Sequence, residues 1–152
     1  MNAIHEFYMR EALIEAEKAL LINEVPVGCV IVCNNEIIGR GYNDRESSNE
    51  AIGHAEIRAI NNASKIINSW RLEDCDLYVT LEPCVMCLGA MIQARIKNVY
   101  YAASDLKIKP FTSIIEPHIN SFDHKMNVYE GILKKDAEIL LKKFFINLRK
   151  EK

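Results

Sequence analysis

Asp76-Leu77-Tyr78-Val79-Thr80-Leu81 is a β-branched and aromatic run of strand length, and Glu82-Pro83-Cys84-Val85-Met86-Cys87 follows it without a break. Proline suits the first helical position, so the chain is expected to turn there from strand into a helix over Cys84–Ala94. A second short strand is expected at Val99–Ala103. Upstream, Val27–Cys33 and Glu36–Tyr42 are β-rich runs separated by Asn34-Asn35. Asparagine tolerates left-handed backbone angles, so this pair predicts a two-residue hairpin turn and an antiparallel strand pair. Helices are predicted around these strands. Residues 2–22 carry Met9, Ala12, Leu13, Ala16, Ala19 and Leu20 on one stripe, with Glu11, Glu15 and Lys18 opposite. Residues 54–67 space Ala59, Ile60, Ala63 and Ile67 for burial. Residues 132–150 do the same with Leu133, Ala137, Leu140, Leu141, Phe144 and Leu148. Alternating helices and strands predict an α/β sandwich built on a mixed sheet. The segment from Asp105 to Lys125, with two prolines and few clear periods, predicts no defined element.

The remaining bulk properties fit one domain over residues 1–152. Apolar residues make up 49% of the chain and charged residues 26%, which argues against a disordered or fibrous protein. No run approaches 18 apolar residues, so no membrane span is expected. The start, MNAIHEFYMREAL, lacks a basic region followed by an apolar one, and a cytoplasmic protein is expected. Five cysteines are then better read as reduced thiols or metal ligands than as a disulfide framework. Net charge is −2, yet it is unevenly spread. Residues 1–76 hold 7 Lys/Arg against 13 Asp/Glu, and residues 77–152 hold 12 against 8. Such asymmetry fits either an ordinary solvated surface or a basic face on a nearly neutral protein.

Two short stretches carry chemistry: His54-Ala55-Glu56 and Pro83-Cys84-Val85-Met86-Cys87. A Cys-x-x-Cys pair alone is open to three readings: a redox pair, half of a structural zinc site, or chance. No second Cys-x-x-Cys exists, although Cys75 is available as a fourth ligand. With His54 added, one imidazole and two thiolates give three ligands and leave the fourth position of a tetrahedral zinc for water, the pattern of a catalytic site. Glu56, two residues after His54, is placed to take a proton from that water without ligating. Each motif begins its own helix, and helix N-termini on one edge of a sheet can converge on one site. His-x-Glu with a downstream Pro-Cys-x-x-Cys is the pattern of zinc-dependent nucleobase deaminases.

Beyond that pattern, the chain resembles the bacterial tRNA-specific adenosine deaminases. The matching text is VPVGCVIV (25–32), GHAEIRAI (53–60), RLEDCDLYVTLEPCVMCLGAMIQARI (71–96) and EGILKKDAEILLKKFF (130–145), within a likeness running from about residue 6 to 149. The resemblance implies a cytidine-deaminase-like three-layer α/β/α fold with helices on both faces of a five-stranded sheet. It implies one Zn²⁺ per subunit held by His54, Cys84 and Cys87, with Glu56 as proton shuttle. The implied reaction is hydrolytic conversion of the wobble adenosine of an arginine tRNA anticodon to inosine. It further implies a homodimer that binds the anticodon stem-loop, with substrate contacts at Val27, Asn43, Ala55, Pro83, Asp105 and His124. Two rival functions share the zinc residues: deamination of a small free base or nucleoside, and a non-catalytic RNA-binding subunit. The family reads Asp-x-Lys-x-Gly-Ala-x-Gly-Ser where this chain has Asp105-Leu106-Lys107-Ile108-Lys109-Pro110-Phe111-Thr112-Ser113, and Asp123 replaces an Asn before His124. Both departures are expected at the tRNA-facing rim.

Other residues are assigned to packing. Cys29 and Cys33 read as small hydrophobes on one strand face, and Trp70 as a packing anchor. Met86 and Met91 read as core, and Phe144 and Phe145 as core or dimer packing ahead of an RNA-stacking role. His5 and His118 read as surface histidines. The lysines and Arg149 of the last helix fit phosphate contacts and a solvated face equally.

Overall fold

The structure is a computed structural model, described for residues 3–105 and 107–151. Asn2 of the first predicted helix and Leu106 of the Asp105–Ser113 stretch lie outside the described residues. In chain order the elements are α1 (Ala3–Leu21), β1 (Gly28–Cys33), β2 (Glu36–Tyr42), α2 (Arg45–Ser48), α3 (Ala55–Ile67), β3 (Asp76–Leu81), α4 (Val85–Gln93) and β4 (Asn98–Ala103). A π-helical turn at Phe111–Ile115 and a 3-10 turn at Glu116–Ser121 precede β5 (Asn127–Glu130) and α5 (Lys134–Lys150). The sheet order is β2-β1-β3-β4-β5. β1 runs antiparallel to β2 and β3, whereas β3, β4 and β5 are mutually parallel, so the sheet is mixed as expected. Asn34 and Asn35 take φ of 52° and 64°, the left-handed angles that the β1–β2 turn requires.

Alternation along the strands sends successive side chains to opposite faces. Cys29, Ile31, Leu77, Val79 and Val99 face α3 and α4, forming one apolar layer. Val30, Val32, Tyr78, Tyr100 and Ala102 face α1 and α5, forming the other. The result is the expected three-layer sandwich. Tyr78, Tyr100 and Tyr129 share one register across β3, β4 and β5 and stack at centroid spacings of 4.7 and 5.1 Å. His5 caps this ladder, 4.4 Å from the Tyr100 ring and with Nδ1 2.6 Å from the Tyr78 hydroxyl. It is therefore a packing residue rather than the surface histidine expected.

Close approach of α3 to the sheet follows from small residues on both sides. A Cβ at Gly39 would meet Ala59 and Ala63, and one at Gly41 would meet Ala55 and Ala59. Glycine on β2 and alanine every fourth residue on α3 thus let the two backbones nearly touch. This contact fixes the first turn of α3, which carries His54 and Glu56.

Several burial expectations fail for identifiable reasons. Glu15, assigned to the solvent face of α1, is buried because Lys18 (2.8 Å) and Arg40 (3.2 Å) fold over its carboxylate. Ile67 and Leu148, near the ends of α3 and α5, are exposed. Trp70 is 56% exposed, and its ring is covered by the guanidinium groups of Arg71 and Arg95 instead of the core. Cys29 is fully buried and Cys33 partly, as hydrophobes. The 105–125 segment is not structureless: Ile115, Phe111 and Ile119 pack against the α3/α4 layer. No helix among the described residues is long and apolar enough to cross a membrane.

Candidate active site

His54 is the N-cap of α3 and Cys84 the N-cap of α4. Pro83 therefore stands one residue before the cap rather than at the first helical position. Cys87, in the first turn of α4, points back to the same spot as Cys84. The Nδ1 of His54 lies 3.6 Å from Cys84 Sγ and 3.5 Å from Cys87 Sγ, and the three ligand atoms all lie within 4.8 Å of one another. A tetrahedral zinc with ordinary Zn–N and Zn–S bonds holds its N and S ligands about 3.6 Å apart. The spacing thus fits one zinc ion with a fourth position left over.

Electrostatics agree with a cation site. The Cys84 thiol is pulled down to about 4, chiefly by the hydrogen bond with Cys87, and also by His54 against the opposing effect of burial. Cys87 is pushed up by the same shared proton and by burial. The group thus holds a thiolate beside an imidazole drawn toward its charged form. Glu56, in the first turn of α3, is only 4% exposed, and burial raises its carboxyl above the usual range. Its carboxyl feels the charges of His54 and Cys84 and the Cys87 side chain, so it lies beside the three-ligand group without being one of the three.

A cavity of about 540 Å³ opens onto this group, within the usual range for small-molecule sites. His54, Ala55, Glu56 and Cys84 lie in its wall, as do the predicted contacts Val27, Asn43 and Asp105. Pro83 is buried behind Glu82 and Cys84 and does not line it. His124 turns elsewhere, with Nε2 2.6 Å from the Ile96 carbonyl oxygen. Of the described residues of the segment departing from the family pattern, Asp105 alone reaches the wall. The altered Lys107–Ser113 stretch and Asp123 lie outside the cavity lining.

Residues without a motif complete the site. Glu24 is 2% exposed and accepts hydrogen bonds from the backbone N–H of Glu46 (3.1 Å) and Ser47 (2.9 Å) and from the Ser47 hydroxyl (3.0 Å). Its carboxylate caps α2 and ties the loop carrying Arg45 to the chain just before β1. Asn43 holds the same loop from inside, donating through Nδ2 to the Val25 carbonyl (3.1 Å) and accepting at Oδ1 from the Arg45 N–H (3.3 Å). Glu82 accepts from the Asp105 N–H (3.0 Å), joining the start of the 105–125 segment to the Cys84 loop. Phe144, Phe145 and Leu148 of α5 also line the cavity, so the two phenylalanines belong to the site rather than to the core. Glu82 could have been suspected from its place beside Pro83-Cys84. Glu24 lies far in sequence from both motifs and had no such signal.

An imidazole and two thiolates at zinc spacing, a buried acid against them and a cavity with room for a nucleotide together define a zinc-dependent deaminase. The chain matches the cytidine and deoxycytidylate deaminase zinc-binding region over residues 2–103 and belongs to that family. Within it, the chain is 47% identical over 147 residues to the tRNA-specific adenosine deaminase of Streptococcus pyogenes serotype M1, an alignment covering 96% of this chain and 86% of the relative. It is 46% identical to the tRNA-specific adenosine deaminase of Rickettsia bellii, covering 93% and 99%. Among solved structures it resembles one from studies of A-to-I editing by tRNA:A34 deaminases at the wobble position. The TM-score is 0.83 at 37% identity, covering 89% of this chain and 99% of that one.

Proposed function

We propose that this protein converts adenosine to inosine in tRNA, at the wobble position of an arginine tRNA anticodon, with release of ammonia. The observation that carries this reading is the 47% identity to a tRNA-specific adenosine deaminase across 96% of the chain, with His54, Glu56 and Cys84 in the wall of one cavity and Cys87 grouped with His54 and Cys84 behind it. His54, Cys84 and Cys87 hold the zinc. When bound, the metal supplies a Lewis acid that makes water a competent nucleophile near neutral pH.

The chain's own groups do the rest. Glu56 takes a proton from the attacking water at its carboxylate, delivers it to the ring nitrogen beside the reacting carbon, and then helps protonate the departing amine. Its burial suits this role, because a raised carboxyl pKa brings it closer to the pH at which it must both accept and donate. Val27 and Ala55 form walls against a flipped-out base. Asn43, and Arg45 in the turn that Glu24 caps, meet the nucleotide's polar edge and phosphate. The exposed Phe145 ring and the half-buried Phe144 ring at the cavity end of α5 offer a surface on which unstacked anticodon bases rest, and the Lys142, Lys143 and Arg149 side chains of the same helix attract the backbone.

The protein acts in the cytoplasm as one domain and pairs into a homodimer. Exposed Ile52 and Val85, beside the starts of α3 and α4, give a second copy an apolar surface next to the site. The test is position-resolved. An arginine tRNA transcript with a wobble adenosine should yield inosine at that position alone. The same transcript with guanosine there should yield none, and inosine elsewhere in it would contradict the proposal.

A further inference from the structure

The antiparallel register of β1 and β3 pairs Cys29 with Val79, Val30 with Tyr78, Ile31 with Leu77 and Val32 with Asp76. Continued one residue past the paired stretch, this register sets Cys33, the last residue of β1, opposite Cys75, the residue before β3. The kind of pairing follows from the hydrogen bonds. The Gly28 N–H points toward β3, at Thr80 Oγ1, so the odd-numbered residues of β1 point their N–H and C=O away from β3. The Cys75 carbonyl accepts from the Lys97 N–H on the β4 side and so points away from β1. Cys33 and Cys75 are thus a non-hydrogen-bonded cross-strand pair, where Cα atoms stand about 4.5 Å apart and side chains are closest. That is within the span that a disulfide bridges. Both thiols are free and lie in the same α3/α4 layer; the Cys75 thiol donates to the Glu73 carbonyl oxygen (3.6 Å), with Cys33 among the groups that act on it.

We propose that Cys33 and Cys75 are a peroxide-oxidisable dithiol that closes reversibly into a disulfide, stapling the β1–β2 hairpin to the start of β3. Their exposures divide the labour. Cys33 is partly exposed at the end of β1 beside the turn, whereas Cys75 is fully buried and held protonated by burial, its pKa pushed up to about 12. A peroxide therefore meets Cys33 first. The Cys33 thiolate attacks the O–O bond, an S–O bond forms, and the other oxygen leaves as water after protonation. The Cys75 sulfur then attacks the Cys33 sulfenic sulfur. The S–S bond forms, the S–O bond breaks, and hydroxide leaves with the Cys75 proton as water. Two thiols lose two electrons and one peroxide becomes two waters. A small dithiol or thioredoxin-type reductant reverses the step by exchange. The pair stands at the end of β1 opposite Gly28 and outside the cavity wall, so closing it is expected to stiffen the fold and leave turnover unchanged.

The experiment uses zinc-loaded protein treated with hydrogen peroxide, alkylated, digested and read by mass spectrometry, with melting followed in parallel. The proposal expects a Cys33–Cys75 peptide pair lighter by two hydrogens, loss of two alkylatable thiols, a higher melting temperature, and reversal of all three by dithiothreitol. Cys33→Ser and Cys75→Ser should each abolish the cross-link and the melting shift. Cys33→Ser, at the partly exposed position, serves should Cys75→Ser fail to fold. Over-oxidation of Cys33 with Cys75 still alkylatable, or cross-linking confined to Cys84 and Cys87, would overturn it.

Discussion

The Nδ1 of His54 and the Sγ of Cys87 stand 3.5 Å apart although 33 residues separate them in the chain. β3 intervenes between their helices, and each residue reaches the site from the first turn or cap of its own helix. Cys87→Ser should therefore break the metal site while leaving the sandwich intact. Zinc content measured by elemental analysis should fall from one per chain to a small fraction. The melting temperature of the wild type, but not of the variant, should fall with a chelator.

Glu56→Gln tests the division between holding metal and moving protons. The amide keeps the size of the buried side chain but cannot shuttle a proton. Zinc content should stay at one per chain while turnover falls by about 10²- to 10⁴-fold, the usual range for lost general acid–base catalysis. Loss of zinc in this variant would instead make Glu56 a ligand.

Glu24 should act on binding more than on chemistry, because its carboxylate hydrogen-bonds to the Arg45–Ser48 turn and not to the three-ligand group. Glu24→Ala leaves the two N–H groups at the start of α2 without their buried acceptor, a loss of about 1–3 kcal/mol. The expected result is a raised KM for tRNA with kcat nearly unchanged, partly rescued by Glu24→Gln, which keeps one acceptor oxygen. An equal fall in kcat would place Glu24 in the chemistry.

Gly41→Ala asks whether the close β2–α3 contact sets the site. A Cβ there would lie 2.6 Å from the Ala59 nitrogen and against the Ala55 carbonyl, so α3 must shift. Overpacking of this kind costs about 1–3 kcal/mol. Denaturant unfolding should show that loss, and zinc affinity should weaken with it. Loss of stability with unchanged zinc affinity would mean that α3 moves without its first turn.

The sequence already carried the parts of this architecture that local chemistry dictates. Asn34-Asn35 announced the hairpin because few residue pairs accept two left-handed angles. His54, Glu56, Cys84 and Cys87 stood out because their types and spacing are rare together. β5 went unread because it is four residues long and mostly exposed, with Val128 and Tyr129 its only apolar side chains. The turns at 111–121 follow no single helical period, so Ile115 and Phe111 gave no stripe to see. Glu24 and the α5 phenylalanines join the site only through tertiary contact: a lone acid before a strand and a ring pair on an amphipathic helix look the same in sequence wherever they end up. The burial of Glu15 likewise needs Arg40 from β2, which α1 alone cannot reveal.

The most direct test of the central claim compares substrates for one preparation of zinc-loaded protein. An arginine tRNA carrying a wobble adenosine is incubated in parallel with free adenosine, cytidine, cytosine and guanine. Products are read by mass spectrometry with Glu56→Ala as control. The account predicts inosine in the tRNA and no turnover of the small substrates. Turnover of a free base or nucleoside with none in the tRNA would contradict it, leaving the zinc chemistry in place and the substrate overturned.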